Sequence, residues 1–217
     1  MNNVLMIMTV RNISAVEESL KKIDIPKVWF KGYTEFELNE HINNFIKETN
    51  YDNYFITSDD AVVPLKTAKL LFEKIEKYPI VTGWCLWRQN QNWSTIQFQD
   101  KLFMYNQGSN LPIFGKHYNI VKSHEIHKLP EEFETAFTGW CFTGARREIW
   151  LEYPFQTIGT HPHHPGASTD VHWSKRMLVD KKYKQMCFKD AKIVHLSLAG
   201  APTGTFDFVN KQIIKEL

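Results

Sequence analysis

The first third of the chain alternates between short apolar runs and segments with apolar residues at helical spacing. The apolar runs at residues 4–10, 28–30 and 54–57 predict three buried strands. Between them, Ser14 and Thr34 each precede a glutamate by three residues, which predicts two amphipathic helices that begin with capping boxes. Strands that alternate with helices pair in parallel through right-handed crossovers. This third of the chain therefore predicts an α/β half-sheet of the nucleotide-binding type.

The rest of the chain predicts further helices and strands. They are a helix over 64–77, a strand over 80–84, a strand over 137–145 that ends in a glycine turn before a helix starting at Arg146, a helix over 170–178 with Trp173 and Met177 on one face, a strand ending near His195, and an amphipathic helix over 206–217. The segment 87–130 is rich in Gln and Asn, with Gly and Pro breaks, and predicts short antiparallel strands and loops. We predict a single domain over 1–217.

Composition and charge place the chain among globular proteins and exclude some partners. Of its 217 residues, 43% are hydrophobic and 23% are charged, with no low-complexity tract. The net charge of +2 is too small to favour nucleic-acid binding. The sequence contains neither G-x-G-x-x-G nor G-x-x-x-x-G-K-[ST], which excludes dinucleotide and P-loop sites.

The number and spacing of the cysteines indicate the redox conditions in which the protein is expected to work. Cys85, Cys141 and Cys187 are widely spaced and form no C-x-x-C pair, which argues against a disulfide framework or a structural zinc site and favours a reducing compartment. We expect Cys141 to fill space in the core. The sequence shows no charged leader and no apolar stretch long enough to cross a bilayer. We therefore expect a soluble, cytoplasmic protein, with peripheral contact to a membrane surface left open.

The main chemical signal is the run Ser58, Asp59 and Asp60, directly after the third strand. Two adjacent carboxylates at the end of a buried strand repel each other unless a cation lies between them or water screens them. Open α/β sheets bind ligands at this edge. From these residues alone, a ligand site and a solvated turn that caps the next helix are equally good interpretations.

Four stretches resemble, in the same order, the inverting family 2 glycosyltransferases of the GT-A fold. The strand and turn up to Asn12 match the family's Rossmann-like start, and Ser58-Asp59-Asp60 matches its D-x-D region with Ser58 in the first position. Residues 143–148, Thr-Gly-Ala-Arg-Arg-Glu, match the strand and helix before the acceptor loop. The late helix from Asp170 through Arg176, followed by His195, matches the last landmark.

This resemblance implies a fold and an activity. The fold is α/β, a Rossmann-like, mostly parallel sheet flanked by helices with a smaller antiparallel acceptor-side portion. Residues 1–84 form the nucleotide-binding half and residues 85–217 the acceptor-side half. The implied activity is a metal-dependent transfer, of the hexosyltransferase type, from a nucleotide-sugar to an acceptor hydroxyl with inversion. The acceptor is a carbohydrate, a lipid-linked molecule or a protein.

The resemblance also implies roles for particular residues. Asp170 is the general base, and Asp60 and His195 bind Mn²⁺ or Mg²⁺. The nucleotide-sugar contacts residues spread over three regions of the chain: Thr9, Arg11, Asn12, Ser58, Asp59, Trp140 and Arg146.

Plainer interpretations remain beside these. Asp170 is also a good helix-capping acid, His195 a structural histidine, and Arg146 part of a solvated face. A non-catalytic nucleotide- or carbohydrate-binding module has the same fold. A metal-dependent phosphohydrolase or nuclease needs further carboxylates, for which Glu131, Glu132 and Glu134 are the candidates.

Two other groups of residues invite functional hypotheses. The segment His161-Pro162-His163-His164 predicts a loop; we favour an acceptor-side lid, with Gly166 and Ser168 allowing movement, over a zinc site. Trp84, Trp87 and Trp93 exceed what a core of this size needs, so we expect at least one to line the acceptor cleft. The lysines near residues 175–184 are a solvated surface or a contact to lipid phosphates.

Overall fold

A seven-stranded sheet lies at the centre of the computed structural model, which describes residues 1–9, 12–31, 35–86, 93–99, 118–156, 160–161, 164–165 and 169–196. Numbered along the chain and given in spatial order, its strands are β2 (Lys27–Lys31), β1 (Asn3–Thr9), β3 (Asn53–Ser58), β9 (Thr143–Arg146), β5 (Ile80–Trp84), β12 (Met186–Lys192) and β8 (Glu132–Glu134). Strands β9 and β8 run antiparallel to their neighbours, and the other five strands share one direction.

Five helices and three small ladders complete the described chain. The helices are α1 (Ser14–Lys21), α2 (Glu35–Glu48), α3 (Leu65–Lys77), α4 (Arg147–Glu152) and α5 (Thr169–Asp180), with a 3₁₀ helix at Ser123–Lys128. The antiparallel ladders are β4 (Ala61–Val62) with β13 (Val194–His195), β6 (Trp93–Gln99) with β7 (Tyr118–Lys122), and β10 (Thr160–His161) with β11 (His164–Pro165). Within the described ranges, no helix is long and apolar enough to cross a bilayer.

The sheet is buried on both faces, as the continuous apolar run of β1 predicts. Leu5 and Ile7 pack with α1 and α3 on one face, whereas Val4 and Met6 pack with α2, α4 and α5 on the other. All four side chains are fully buried. The predicted strands at 28–30, 54–57 and 80–84 and the helix at 64–77 are confirmed by β2, β3, β5 and α3.

The predicted capping box at Ser14 is wrong. Ile13 occupies the capping position with extended backbone, φ −114° and ψ 111°, and no side chain caps the helix. Ile13 is buried in the core, and its packing places the helix start at Ser14 itself. Thr34, the second predicted cap, lies outside the described residues.

The predicted strand over 137–145 is also wrong for most of its length. Residues 137–139 are irregular and residues 140–142 form a turn and a bend. The strand is only Thr143–Arg146, and the helix begins at Arg147. The backbone N–H of Thr138 donates to Ser174 Oγ at 3.0 Å, so it bonds to α5 instead of a strand. Gly144 lies inside the strand, where a Cβ would come within 2.2 Å of the Phe55 ring. Its role is to admit that ring and not to make a turn.

Glu132, on the outer strand β8, ties this edge of the sheet to α3. Its carboxylate accepts hydrogen bonds from Lys74 at 2.7 Å, Lys77 at 3.2 Å and Tyr78. The bond from Lys74, followed by those from Tyr78 and Lys77, lowers the pKa of Glu132 from its usual 4.5 to about 2. The stabilisation is therefore complete above the unfolded pKa and is lost as the pH falls through the folded value.

We expect Glu132→Gln to destabilise the protein at pH 7 and to converge with the wild type as the pH falls from about 4.5 towards about 2. Urea unfolding at pH 7, 5 and 3 measures this difference. The matched control is Glu134→Gln on the same strand, whose more exposed carboxylate is 3.5 Å from Lys184. A Glu132→Gln protein with a constant stability difference across this range would contradict the expectation.

Candidate active site

The candidate site lies at the carboxyl end of β3, where Asp59 and Asp60 form a tight turn into β4. Both residues are buried, at 5% and 7% exposure. Ser58 Oγ donates a hydrogen bond to Asp60 Oδ1 at 2.7 Å, which orients that carboxylate. The burial of both acids argues against the solvated turn that the sequence also allowed, because carboxylates are rarely buried without a partner.

A two-residue ladder brings His195 to this carboxylate from 135 positions further along the chain. Strand β13 pairs with β4 so that His195 lies opposite Ala61. The backbone N–H of Leu196 donates to the Asp60 carbonyl at 2.7 Å. As a result, His195 Nε2 lies 3.4 Å from Asp60 Oδ2. The predicted pairing of Asp60 with His195 therefore has a geometric basis in the fold.

The donor atoms of this pair fit a divalent cation. A carboxylate oxygen with an imidazole nitrogen suits Mn²⁺, and Mg²⁺ also binds carboxylates. Neighbouring ligands on an octahedral ion with bonds of about 2.1 Å lie about 3 Å apart, close to the 3.4 Å seen here. Among the described residues, no three His, Cys, Asp or Glu side chains form a group that could hold a metal ion. Within the described part of the chain, this pair of donor atoms is thus spaced as two neighbouring ligands of one ion would be.

Two thiols form the floor behind this pair, and the sequence did not predict their contact. Cys85 Sγ and Cys141 Sγ are 2.9 Å apart, and both residues are buried. The hydrogen bond from Cys85, followed by burial, raises the pKa of the Cys141 thiol, which also responds to the charges of His195 and Asp60. Thr57 Oγ1 donates to the Cys141 carbonyl at 2.6 Å and fixes this turn against β3. The two thiols and the bond from Thr57 therefore pack the turn at residue 141 closely against β3 and the residue that follows β5.

Several other predicted residues reach the same edge of the sheet. Thr9 ends β1, whose Met8 pairs with Ser58, so Thr9 lies beside the acidic turn and is buried. Asn12 is exposed in the connection from β1 to α1. Arg11 lies outside the described residues.

Asp170 occupies the first turn of α5 and is partly buried. Helix α5 leads into β12, which runs in the same direction as β3, so the helix begins on the carboxyl side of the sheet. Asn39 Nδ2 donates to Thr169 Oγ1 at 3.4 Å, which ties the start of α5 to the first half of α2. Asp170 therefore lies on the carboxyl side of the sheet, where the acidic turn also lies. His172 and Arg176 continue the helix, with Arg176 bonded to the Pro154 carbonyl.

Trp140 lies in the turn before β9, also at the carboxyl edge, because Thr143 pairs with Ile56 near the end of β3. Its ring packs on Phe155 with centroids 4.7 Å apart, and only 7% of the residue is exposed. Its indole N–H is buried and has no hydrogen-bond partner within the described chain. Trp140 thus supplies a rigid wall with one unused donor.

The structure does not bring Arg146 to the site. Arg146 pairs with Asn53, at the amino end of β3. Five residues of strand separate that end from Ser58, or about 17 Å at 3.3 Å per residue. The guanidinium donates to the Glu76 carbonyl at 3.1 Å and caps the end of α3, while Arg147 donates to the Thr49 carbonyl at 3.0 Å beyond α2. The two arginines hold helix ends, whereas the family resemblance had implied that Arg146 contacts the nucleotide-sugar.

The acidic residues that a nuclease would need are paired with lysines elsewhere. Glu131 pairs with Lys189, Glu132 with Lys74 and Lys77, and Glu134 with Lys184. They belong to β8 and its approach, at the outer edge of the sheet. This arrangement explains the acidic cluster without a second metal ion.

The tryptophan and histidine hypotheses have mixed outcomes. Trp84 is 6% exposed and donates to the Lys189 carbonyl at 2.8 Å, so it belongs to the core and does not line a cleft. Trp87 and the Trp93 side chain lie outside the described residues. The predicted loop at 161–164 contains a hairpin in which His161 pairs with His164. Pro162, His163, Gly166, Ser168 and the tail from 197 to 217 are outside the described chain.

Comparison with solved structures identifies the fold. The chain is similar to A197 from STIV, with 16% identity over 91% of this chain and 83% of that chain and a TM-score of 0.52. It is similar to GalNAc-T7 in complex with UDP, GalNAc and Mn²⁺, with 8% identity over 90% of this chain and a TM-score of 0.57. It is also similar to the mannosyltransferase PcManGT from Pyrobaculum calidifontis in complex with GDP-Man and Mn²⁺, with 10% identity over 96% of this chain and a TM-score of 0.54.

The chain spans 44% of the GalNAc-T7 chain and 59% of the PcManGT chain. No protein-family model matches the sequence, and no curated protein does. These likenesses, all below 25% identity, show the fold alone. The predicted fold, a GT-A-like α/β sheet flanked by helices, is confirmed.

Proposed function

We propose that this chain is a metal-dependent glycosyltransferase that moves a sugar from a nucleotide-sugar to an acceptor hydroxyl with inversion. The observation that carries the proposal is the pair of the buried Asp60 and the partly buried His195, whose Oδ2 and Nε2 atoms lie 3.4 Å apart at the carboxyl end of β3. Two structures that share the fold are glycosyltransferases whose complexes hold a nucleotide and Mn²⁺. The pair lies at the edge where open α/β sheets bind their ligands.

Asp60 and His195 would hold Mn²⁺ or Mg²⁺. When bound, such an ion neutralises the diphosphate that leaves as the glycosidic bond breaks. Ser58 prepares the site, because its hydroxyl donates to Oδ1 of Asp60 while Oδ2 faces His195. The burial of Asp60 and the partial burial of His195 limit the motion of both side chains, so little reorganisation is needed when the donor binds.

The neighbouring residues would bind the rest of the donor. Thr9 and Asn12 flank the acidic turn on the β1 side, and Asp59 is the second carboxylate of that turn. We assign Asp59 to the ribose or to a bound water. Trp140 closes the β9 side with its ring packed on Phe155. Its buried indole N–H could donate to a sugar hydroxyl.

Asp170 would accept the proton of the acceptor hydroxyl as that oxygen attacks the anomeric carbon. Its place in the first turn of α5 suits a carboxylate, because the helix dipole favours negative charge there. The link from Asn39 to Thr169 fixes the start of this helix and thus the position of the base. Inversion needs only one such carboxylate on the acceptor side.

The first test of this proposal is thermal unfolding with nucleoside diphosphates, with and without Mn²⁺. At a ligand concentration about 100 times its Kd, binding stabilises the folded chain by about 2.7 kcal/mol, and a chain of this size gains roughly 5–10 °C in Tm. We expect this increase for at least one of UDP, GDP, ADP and CDP, and only when Mn²⁺ is present. Nucleoside monophosphates with Mn²⁺ are the control for the diphosphate requirement.

Absence of any metal-dependent increase in Tm across the four diphosphates would overturn the metal-dependent donor site. Turnover is then tested with the matching nucleotide-sugars, by release of nucleoside diphosphate. Binding without any release would leave the non-catalytic nucleotide-binding module as the function.

A further inference from the structure

A polar groove runs along α2 on the side that faces the turn after α4. Its volume is about 440 Å³, within the range of about 300–1,000 Å³ typical of small-molecule sites. The residues that line it are Asn39, Glu40, Asn43, Asn44, Lys47, Phe155 and Gln156. From Asn39 to Lys47 the groove follows α2 for about 12 Å.

The walls of this groove are rigid. Asn43 Nδ2 donates to the Phe155 carbonyl at 2.9 Å, and the Phe155 N–H donates to Asn43 Oδ1 at 2.8 Å. Both sides of the Asn43 amide are therefore used to hold the backbone. The Phe155 ring is stacked on Trp150 with centroids 4.9 Å apart and packs against Trp140. A site with such fixed walls loses little entropy when it binds a ligand.

The chemistry of the open groove points to a neutral, hydroxyl-rich ligand. The side chains of Asn44 and Gln156 are exposed, and their amide groups have no hydrogen-bond partner within the described chain, so each amide offers donors and an acceptor. Glu40 and Lys47, also exposed, add one charge of each sign. Because these two side chains have opposite charges, together they favour neither a phosphate nor a cation. A carboxylate and an ammonium group are both good hydrogen-bond partners for hydroxyl groups.

The groove ends beside the proposed base. Asn39, at its start, is buried and donates to Thr169 Oγ1, the residue directly before Asp170. A ligand that lies along α2 therefore has one end at the first turn of α5. Since Asp170 is proposed to act on the acceptor, this geometry connects the groove to the acceptor side of the site and not to the donor side.

We propose that the groove along α2 binds the acceptor, and that the acceptor is a neutral carbohydrate whose terminal hydroxyl reaches Asp170. The acceptor assignment rests on the proposed function; the carbohydrate assignment rests on the groove itself. It chooses one of the three acceptor classes that the sequence left open.

The test is carbohydrate binding by saturation-transfer NMR on the full chain. The probes are the methyl glycosides of glucose, galactose, mannose and N-acetylglucosamine, with lactose, maltose and cellobiose as disaccharides. The test variant is the double substitution Asn44→Ala with Gln156→Ala, and the matched control is Asn50→Ala, an exposed amide just beyond the end of α2. All three positions are exposed, so unchanged Tm values verify folding.

We expect at least one probe to bind the wild type and the control equally, and to bind the double variant about tenfold or more weakly, because two neutral hydrogen-bonding groups are lost. No binding by any of the seven probes would overturn the inference, as would equal binding by the double variant. The Tm increase with nucleoside diphosphate and Mn²⁺ is measured on the same proteins. If the wild type shows no such Tm increase, the proposed function is refuted. If the wild type shows the Tm increase but binds none of the carbohydrates, the assignment of the groove as a carbohydrate site is refuted.

Discussion

The Asp170→Asn variant is expected to transfer sugar about 10²- to 10⁴-fold more slowly than the wild type while keeping nearly the same affinity for the donor. This range is the usual contribution of a general base. Asn has the shape of Asp and remains a good residue for a helix start, so the fold and α5 should persist. In the proposed mechanism the base acts on the acceptor hydroxyl, so its loss should lower kcat with little effect on donor binding. Steady-state transfer kinetics beside a donor titration measure both quantities.

The matched control for this variant lies at the other end of the same helix. Asp180 accepts a hydrogen bond from Tyr153 at 2.9 Å and is exposed, so Asp180→Asn removes one charge from α5 far from the site. Its transfer rate should equal that of the wild type. If Asp170→Asn also retains near wild-type transfer, Asp170 is only a first-turn acid of α5 and is not the base.

A second large effect is expected from Asp60→Asn, which should abolish the increase in Tm that a nucleoside diphosphate gives with Mn²⁺. Asn retains the acceptor for the Ser58 hydroxyl and the volume of the buried side chain, so only the charge is removed. The ion then loses its anionic ligand, and a stabilisation of about 2.7 kcal/mol at 100 times Kd disappears. Donor binding and turnover should fall together, because the proposed metal site would hold the donor in the ground state and in the transition state.

Asp52→Asn is the matched control for the metal site. Asp52 precedes β3 at the opposite end from Asp60 and accepts a hydrogen bond from the Asn2 backbone at 2.6 Å. It is exposed, and its substitution should leave the Mn²⁺-dependent increase unchanged. Equal increases in Asp60→Asn, Asp52→Asn and the wild type would remove the metal assignment from Asp60.

The fold could be predicted from sequence where local pattern and burial agree. The continuous apolar run of β1 and the helix that begins after Pro64 belong to this group, since each pattern is complete within one element. Residues 137–142 show the limit. They have strong strand propensity, yet Thr138 bonds to Ser174, 36 positions away, and no local pattern reveals such a partner. Tertiary contacts overrode propensity there.

The candidate site was predictable only in part, for a similar reason. The run at residues 58–60 is recognisable in the sequence, because adjacent carboxylates at the end of a buried strand repel each other and need a partner. That His195 reaches Asp60 depends on a ladder of two residues, β4 with β13, which is too short to leave a pattern. Arg146 is a residue type that binds diphosphates, but it lies at the amino end of β3, opposite to the acidic turn. The roles of the residues at this edge stay predictions until the variants are measured.

The contact between Cys85 and Cys141 carries no sequence signal at all. Their positions are 56 residues apart, and neither belongs to a motif. One thiol follows β5 and the other lies in the turn before β9, so only the pairing of these two strands brings the sulfurs together. The groove along α2 also has no local sequence signal, because two of its seven lining residues, Phe155 and Gln156, lie more than 100 positions away from α2.

The order of the central sheet also bears on how copies of this chain behave at high concentration. Of the strands that the structure describes, β2 and β8 are the outermost, and an outer strand presents backbone groups that another copy could pair with. Strand β2 begins with Lys27 and ends with Lys31, and β8 is three residues long with Glu132 and Glu134 at its ends. Short strands and charged side chains discourage growth of the sheet from one molecule into the next. The placement of these lysines and glutamates thus protects the protein against ordered aggregation, a property separate from catalysis.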